Sequence, residues 1–240
     1  MTARVGVLVF PGTNCEHDVV QAVVGLGGDA QLVWHASTSL EGFDAVVLPG
    51  GFAHGDYLRP GAIARFSPVM EAVRRFADDG GTVVGICNGF QVLTEAGLLP
   101  GALQKNGGLR FICAPVDLEV CNDRSAITAG VEKGTRLRIP INHFEGNYTC
   151  DAETLERLNA EDRVVLRYVE NPNGSVDSIA AISNANGNVV GLMPHPERAS
   201  TPLAGSLDGN VLLRAMLGFA SKSVSCSRIP EALSAVRHAT

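Results

Sequence analysis

Cys87 lies in the string Gly85-Ile86-Cys87-Asn88-Gly89, between the apolar run Thr82 to Ile86 and a stretch of helical periodicity from Asn88 to Ala96. Glycines two residues to either side of a nucleophile mark the elbow joining strand to helix in G-x-S-x-G hydrolases, here with a thiol in place of the hydroxyl. The glycines let the backbone turn sharply and let the helix pack close to the strand. The helix N-terminus then favours the thiolate, and the N–H of Asn88 can point at an oxyanion formed on attack. A buried structural cysteine in a Gly-rich turn has a similar composition. The paired glycines in a strand–turn–helix context favour the nucleophile.

A thiol nucleophile needs a base, and Pro194-His195-Pro196-Glu197 follows the apolar run Val189 to Met193. Preceding a proline, His195 is expected to be extended. Residues i and i+2 of an extended chain point the same way, which sets Glu197 to orient the imidazole. A stiff surface loop with a solvated histidine is the alternative, less attractive because both motifs fall at carboxyl ends of expected strands. A third string, Leu48-Pro49-Gly50-Gly51, also ends a strand. Paired glycines let a backbone N–H approach a substrate oxygen, so Gly51 is an oxyanion candidate, although Gly-Gly is also an ordinary turn. The loop from Phe52 to Pro60 carries His54, Asp56, Tyr57 and Arg59, the polar density of a substrate-facing loop or of a solvated surface.

Strands and helices must alternate to position these groups. Val5 to Phe10, Gln31 to Trp34, Ala45 to Leu48 and Thr82 to Ile86 are expected as strands. Helices are expected with Val19, Val20, Val23, Val24 and Leu26 inward, from Ser67 as N-cap with Pro68 at its first position, and from Asn88 to Ala96. The near-continuous apolar strands predict a mostly parallel α/β sheet flanked by helices, flavodoxin-like, with its loops at the strand carboxyl ends. Beyond residue 108 the texture becomes antiparallel: Arg110 to Val120, Arg136 to Ile141, Val164 to Val169, Ile179 to Ile182 and Val189 to Met193. Asn186-Gly187 signals a two-residue hairpin. A last helix is expected from Asp208 to Ala220, closing one domain over 1–220. A Ser-rich linker, Ser221 to Ser227, is then expected to lead into a short terminal helix, the two making up a tail over 221–240.

Composition narrows the classes. The 240 residues are enough to bury roughly 70–75% of the unfolded surface. A net charge of −6 and the lack of any Lys/Arg cluster argue against nucleic acid as a partner. The six cysteines form no C-x-x-C pair, so neither a zinc site nor a disulfide framework is expected. No apolar run reaches the ~20 residues of a membrane helix and no signal peptide opens the chain, so the expected setting is the cytoplasm. No phosphate-loop or dinucleotide fingerprint occurs either.

These strings resemble the class I, triad-type glutamine amidotransferases, and more narrowly the glutaminase subunits of phosphoribosylformylglycinamidine synthases. The resemblance rests on Phe10-Pro11-Gly12-Thr13-Asn14-Cys15, on Gly50 to Arg59 with Gly61-Ala62-Ile63-Ala64-Arg65, and on Gly85 to Gln91. Asn171 to Ser175 and Met193 to Ala199 extend it, and it covers the chain to about residue 220. It implies Cys87 as nucleophile, His195 as base and Glu197 as orienting group, with oxyanion N–H groups from Gly51 and Asn88 and with Gln91 beside the substrate glutamine. It also implies a γ-glutamyl thioester, no cofactor or metal in this chain, and ammonia passed to a large synthetase subunit that holds ATP and Mg. A small third subunit is implied as well. One departure is Phe144, in Asn142-His143-Phe144-Glu145-Gly146-Asn147-Tyr148, where the family commonly has glycine.

Two alternatives remain open on the residues alone. The same triad serves glutaminases of CTP, GMP and anthranilate formation, and only the member-specific strings separate them. A flavodoxin-like redox sensor would use an oxidisable Cys87 without needing Pro-His-Pro-Glu. A catalytically dead binding module is disfavoured by the full triad.

Overall fold

The computed structural model describes residues 2–227. In chain order the elements are β1 (Arg4–Val9), α1 (Glu16–Gly25), β2 (Asp29–Trp34), β3 (Ala45–Leu48), α2 (Pro68–Asp78), β4 (Thr82–Ile86), α3 (Asn88–Glu95), β5 (Ala102–Gln104) and β6 (Ile112–Val120). They continue with β7 (Arg136–His143), β8 (Asn147–Thr149), α4 (Ala152–Ala160), β9 (Val164–Tyr168), β10 (Ile179–Ser183), β11 (Val189–Leu192) and α5 (Gly209–Ser227). Nine strands form one sheet in the order β2-β1-β3-β4-β11-β10-β9-β6-β7, and β5 pairs with β8 separately. The first five of the nine run parallel, and the pairings beyond β11 are antiparallel.

β3, β4 and β11 are buried along their whole length, so both sheet faces are covered there. Their register decides where the chemistry falls. Leu48 pairs with Gly85, and Ile86 pairs with Leu192, so all three strands end at one level. Gly51, Cys87 and His195 therefore leave adjacent carboxyl ends of the sheet.

The approach of α3 to the sheet depends on missing side chains. A Cβ on Gly89 would run into the Leu48 carbonyl, and one on Gly85 would meet the Gly89 backbone at 2.7 Å. No other residue type allows strand and helix to close on this elbow.

Several expectations need correction. Val24 on α1 is exposed, while Val19, Ala22 and Val23 are buried. Ser67 precedes α2 but makes no side-chain cap; its hydroxyl instead pairs with His54 Nε2 at 3.3 Å. Asn184 still donates its N–H to the Val189 carbonyl, so the turn inside that pair, 185–188, spans four residues rather than two, with Gly187 at φ 73. The Ser-rich stretch is not a linker, because α5 runs on to Ser227. The remainder of the expected tail, 228–240, lies outside the described residues. Gly89→Ala is expected to destabilise the fold by at least about 1–3 kcal/mol through overpacking. The check is a lower urea midpoint at unchanged slope; an unchanged midpoint would show that α3 does not press on β3.

Candidate active site

Cys87 joins β4 to α3 at φ 50 and ψ −103, a conformation that costs a non-glycine residue on the order of 1–3 kcal/mol. Its N–H donates to Leu192 O at 2.7 Å, which ties the elbow to the end of β11. Its sulfur lies 3.7 Å from the Asn142 carbonyl on β7. The thiol and the imidazole of His195 border the same cavity, of about 380 Å³.

His195 is held from two sides. Its N–H donates to Pro140 O at 2.8 Å, and its Nδ1 lies 2.6 Å from Glu197 Oε1, with both side chains buried. Nδ1–H donation to the carboxylate leaves Nε2 as the proton acceptor. Nε2 is buried and has no hydrogen-bond partner among the described residues. Burial works against a charged imidazole, yet the charges of Glu197 and Cys87 outweigh it and hold His195 well above its ordinary value. The route to this pair differs from the alternation expected of an extended chain. His195 does avoid helical backbone, at φ −104 and ψ 86, but Pro196–Ala199 forms a 3₁₀ turn that brings Glu197 round to the ring.

Gly51 sits at φ 142, where a Cβ would meet Asn14 N at 2.7 Å. The bridge between Thr13 and Gly51 uses the N–H groups of Asn14 and Phe52, so that of Gly51 stays out of it, and Gly51 borders the cavity. The Asn88 N–H opens α3, where no intrahelical acceptor exists. The Asn88 side chain does separate work: Oδ1 accepts from Ala53 N at 2.9 Å, and Nδ2 donates to Asp56 at 3.0 Å and to Gln91 Oε1 at 2.8 Å. Gln91 borders the cavity, but its amide is already engaged, since Nε2 donates to Glu145 O at 2.6 Å.

Other contributors were not singled out for the site from the sequence. Cys15 borders the cavity, and its sulfur accepts from Arg198 Nη2 at 3.2 Å. The only signal was its place in the Phe-Pro-Gly-Thr-Asn-Cys string. Asn106, fully buried, accepts from Gly146 N at 3.1 Å and donates to the carbonyls of Arg110 and His143. His143 Nδ1 pairs with Asn106 Oδ1 at 3.1 Å; burial, then the charge on His195, pushes the ring down to about 4. Phe144 stands in the cavity wall beside His143, and its backbone carbonyl accepts from Asn106 N at 2.9 Å. Cys15, His195 and Glu197 also offer potential metal-ligand atoms within 4.8 Å of one another. Two of those residues already bond each other, an arrangement suited to a base and its orienting carboxylate.

The comparisons with known proteins agree with one another. A model of the CobB/CobQ-like glutamine amidotransferase domain matches residues 2–210. The phosphoribosylformylglycinamidine synthase subunit PurQ of Koribacter versatilis is 52% identical over 229 residues, covering 91% of this chain and 99% of its own length. The PurQ subunit of Rubrobacter xylanophilus is 56% identical over 214 residues, covering 89% and 97%. Among solved structures, a chain of PurLQS from Thermotoga maritima is 42% identical with a TM-score of 0.84, covering 91% of this chain and 99% of that one.

Glu197→Gln removes the larger of the two charges that raise His195, leaving that of Cys87 to oppose burial, which lowers it. The imidazole pKa should therefore fall, read by NMR titration of the ring in the folded protein. An unchanged titration would show that the 2.6 Å contact does not control the base.

Proposed function

This chain belongs to the CobB/CobQ-like glutamine amidotransferase family, and on that premise we propose how its residues release ammonia from glutamine. It is the glutaminase subunit of a phosphoribosylformylglycinamidine synthase, acting in purine biosynthesis. The Cys87 thiol attacks the γ-carboxamide carbon while His195 Nε2 takes its proton. The carbonyl oxygen, now an oxyanion, is received by the N–H groups of Gly51 and Asn88. His195 returns the proton to the leaving nitrogen, ammonia departs, and Cys87 holds a γ-glutamyl thioester. Water, deprotonated by His195, then displaces the sulfur and releases glutamate. Glu197 keeps the imidazole in the tautomer that accepts at Nε2 throughout. Gln91 lies beside the substrate as part of the wall. The observation that carries this reading is the convergence of the Cys87 thiol, the buried imidazole of His195 and Gly51 on one cavity, with the first N–H of α3, that of Asn88, next to the thiol in the chain.

The chain works with a synthetase subunit that uses the ammonia. The finer reading is that this large partner holds ATP and Mg, converts formylglycinamide ribonucleotide to its amidine, and is accompanied by a small third subunit, all in the cytoplasm. The absence of a phosphate-binding motif from this chain supports that division. So do the large apolar side chains bordering or flanking the cavity mouth, with Tyr57 73% and Leu58 90% exposed. Exposed apolar groups clustered at a rim suit a protein partner better than water. No helix among the described residues is long and apolar enough to cross a membrane.

Residues 1–220 are proposed to hold the whole glutaminase domain. Leu212, Leu213, Met216 and Ala220 are buried, so α5 is anchored before residue 221. Removal of 221–240 is expected to leave glutamine hydrolysis within about twofold and the protein soluble; aggregation or lost activity would place the tail in the fold. The main test separates making ammonia from using it. Cys87→Ala should abolish glutamine hydrolysis at a folding cost of a few kcal/mol at most. The assembled Cys87→Ala complex should fail with glutamine and still work with added ammonium salt. Retained glutamine-dependent synthesis would refute the nucleophile, and failure with both nitrogen sources would refute the division of labour.

A further inference from the structure

The fold brings together three groups that the cysteine spacing did not join. Cys15 stands just before α1, and His195 and Glu197 follow β11, yet one ligand atom from each lies within 4.8 Å of the others. All three residues are buried. Glu197 uses one carboxylate oxygen on His195, since Oε1 lies 2.6 Å from Nδ1. The other, Oε2, is buried with no hydrogen-bond partner among the described residues. A buried polar atom left bare costs on the order of 1–3 kcal/mol, more when it is charged, so this oxygen calls for a donor or a cation. The thiol of Cys15 donates to Asn14 Oδ1 at 3.3 Å, and its sulfur accepts from Arg198. Arg198 does not leave an excess of positive charge there, because Asp18 meets it at 3.2 Å. Glu197 and an ionised Cys15 would supply the two negative charges that a dication needs.

We propose that Cys15, His195 and Glu197 form a zinc site whose occupation switches the enzyme off. A thiolate, an imidazole and a carboxylate are a donor set that Zn²⁺ accepts, whereas Mg²⁺ and Ca²⁺ avoid sulfur. Zinc bonds of about 2.0–2.3 Å place tetrahedral ligand atoms roughly 3.3–3.6 Å apart, so side-chain shifts of about 1 Å complete the set. Cys15 and His195 both border the cavity, which gives the ion an entry path and an open fourth position. On binding, Cys15 gives its thiol proton, and His195 any second ring proton, to solvent; no electron is transferred. A neutral imidazole has a single lone pair, and zinc occupies it whichever ring nitrogen it binds. His195 is then unable to take the proton of Cys87, and hydrolysis stops until the metal is removed. The metal site stands on the geometry of the three side chains; only its inhibitory effect rests on the glutaminase reading.

Cobalt(II) tests the site spectroscopically, because a thiolate ligand gives a sulfur-to-cobalt charge-transfer absorption. The metal-free full chain should gain that absorption on addition of Co²⁺. Cys87→Ala should keep it, Cys15→Ser should lose it, and Glu197→Gln should weaken cobalt binding at least about tenfold. Zn²⁺ should abolish glutamine hydrolysis by the full chain, and a chelator should restore it. Cys15→Ser, judged against its own zinc-free rate, should need at least about tenfold more zinc for half-inhibition. No absorption from the unmodified chain, absorption that survives in Cys15→Ser, or unchanged cobalt affinity in Glu197→Gln would overturn the site. Equal zinc inhibition with and without the Cys15 sulfur would assign the effect to Cys87 and His195 alone and overturn the switch. Cobalt binding as expected in a chain that hydrolyses no glutamine even without metal would overturn the glutaminase reading, and the switch with it, but not the metal site.

Discussion

The site depends on one close approach, that of α3 to the ends of β3 and β4. Gly85 and Gly89 face each other across the elbow with no side chain between them, and Cys87 is forced into left-handed backbone as a consequence. That strain is sustained because β4 lies between two fully buried parallel neighbours. The bond from Cys87 N–H to Leu192 O then fixes the elbow against β11. From that point the arrangement of the other groups is a matter of register. Three residues past Leu192 comes His195, and three past Leu48 comes Gly51.

A second layer of polar contacts joins loops that the sheet alone would leave independent. Asn88 and Gln91, one turn apart on α3, bond to each other and outward in two directions. Asn88 grips the strained loop that carries Asp56, and Gln91 grips the carbonyl of Glu145 beyond β7. Asn106 holds the far side of that second loop through His143 and Gly146. Gly146 is needed there because a Cβ would enter the His143 ring. Buried amides used in this way are costly to leave unpaired, so the network either forms as a whole or destabilises the wall. Both loops carry exposed apolar side chains, Tyr57 and Leu58 on one and Phe144 on the other. A partner pressing on them would act on groups wired directly to Asn88 and Gln91.

The meeting of Cys87, His195 and Glu197 was legible in the sequence because its determinants are local. Glycine spacing around Cys87 and prolines around His195 dictate backbone shape without reference to distant residues. The parallel half of the sheet was legible from its short, continuous apolar runs. What escaped was whatever depends on tertiary partners. β5 and β8 are three residues each and find one another across more than forty positions. Helix α4 buries only Leu158, so its apolar pattern was too thin to notice, although Asp151 caps it. Gly55 announces one left-handed residue, but nothing in the composition shows that its neighbours His54, Asp56 and Leu58 share that backbone. Ser221 to Ser227 has the composition of a linker, and composition says little where a helix is already propagating.

The central claim is that Cys87 becomes acylated by glutamine in a site assembled by that elbow. Rapid acid quenching of the full chain during turnover of glutamine, followed by peptide mass spectrometry, measures it most directly. The account predicts a glutamyl adduct on the peptide containing Cys87 and none on the peptide containing Cys15. Ammonia release with no adduct on Cys87, or with the adduct on Cys15, would contradict it.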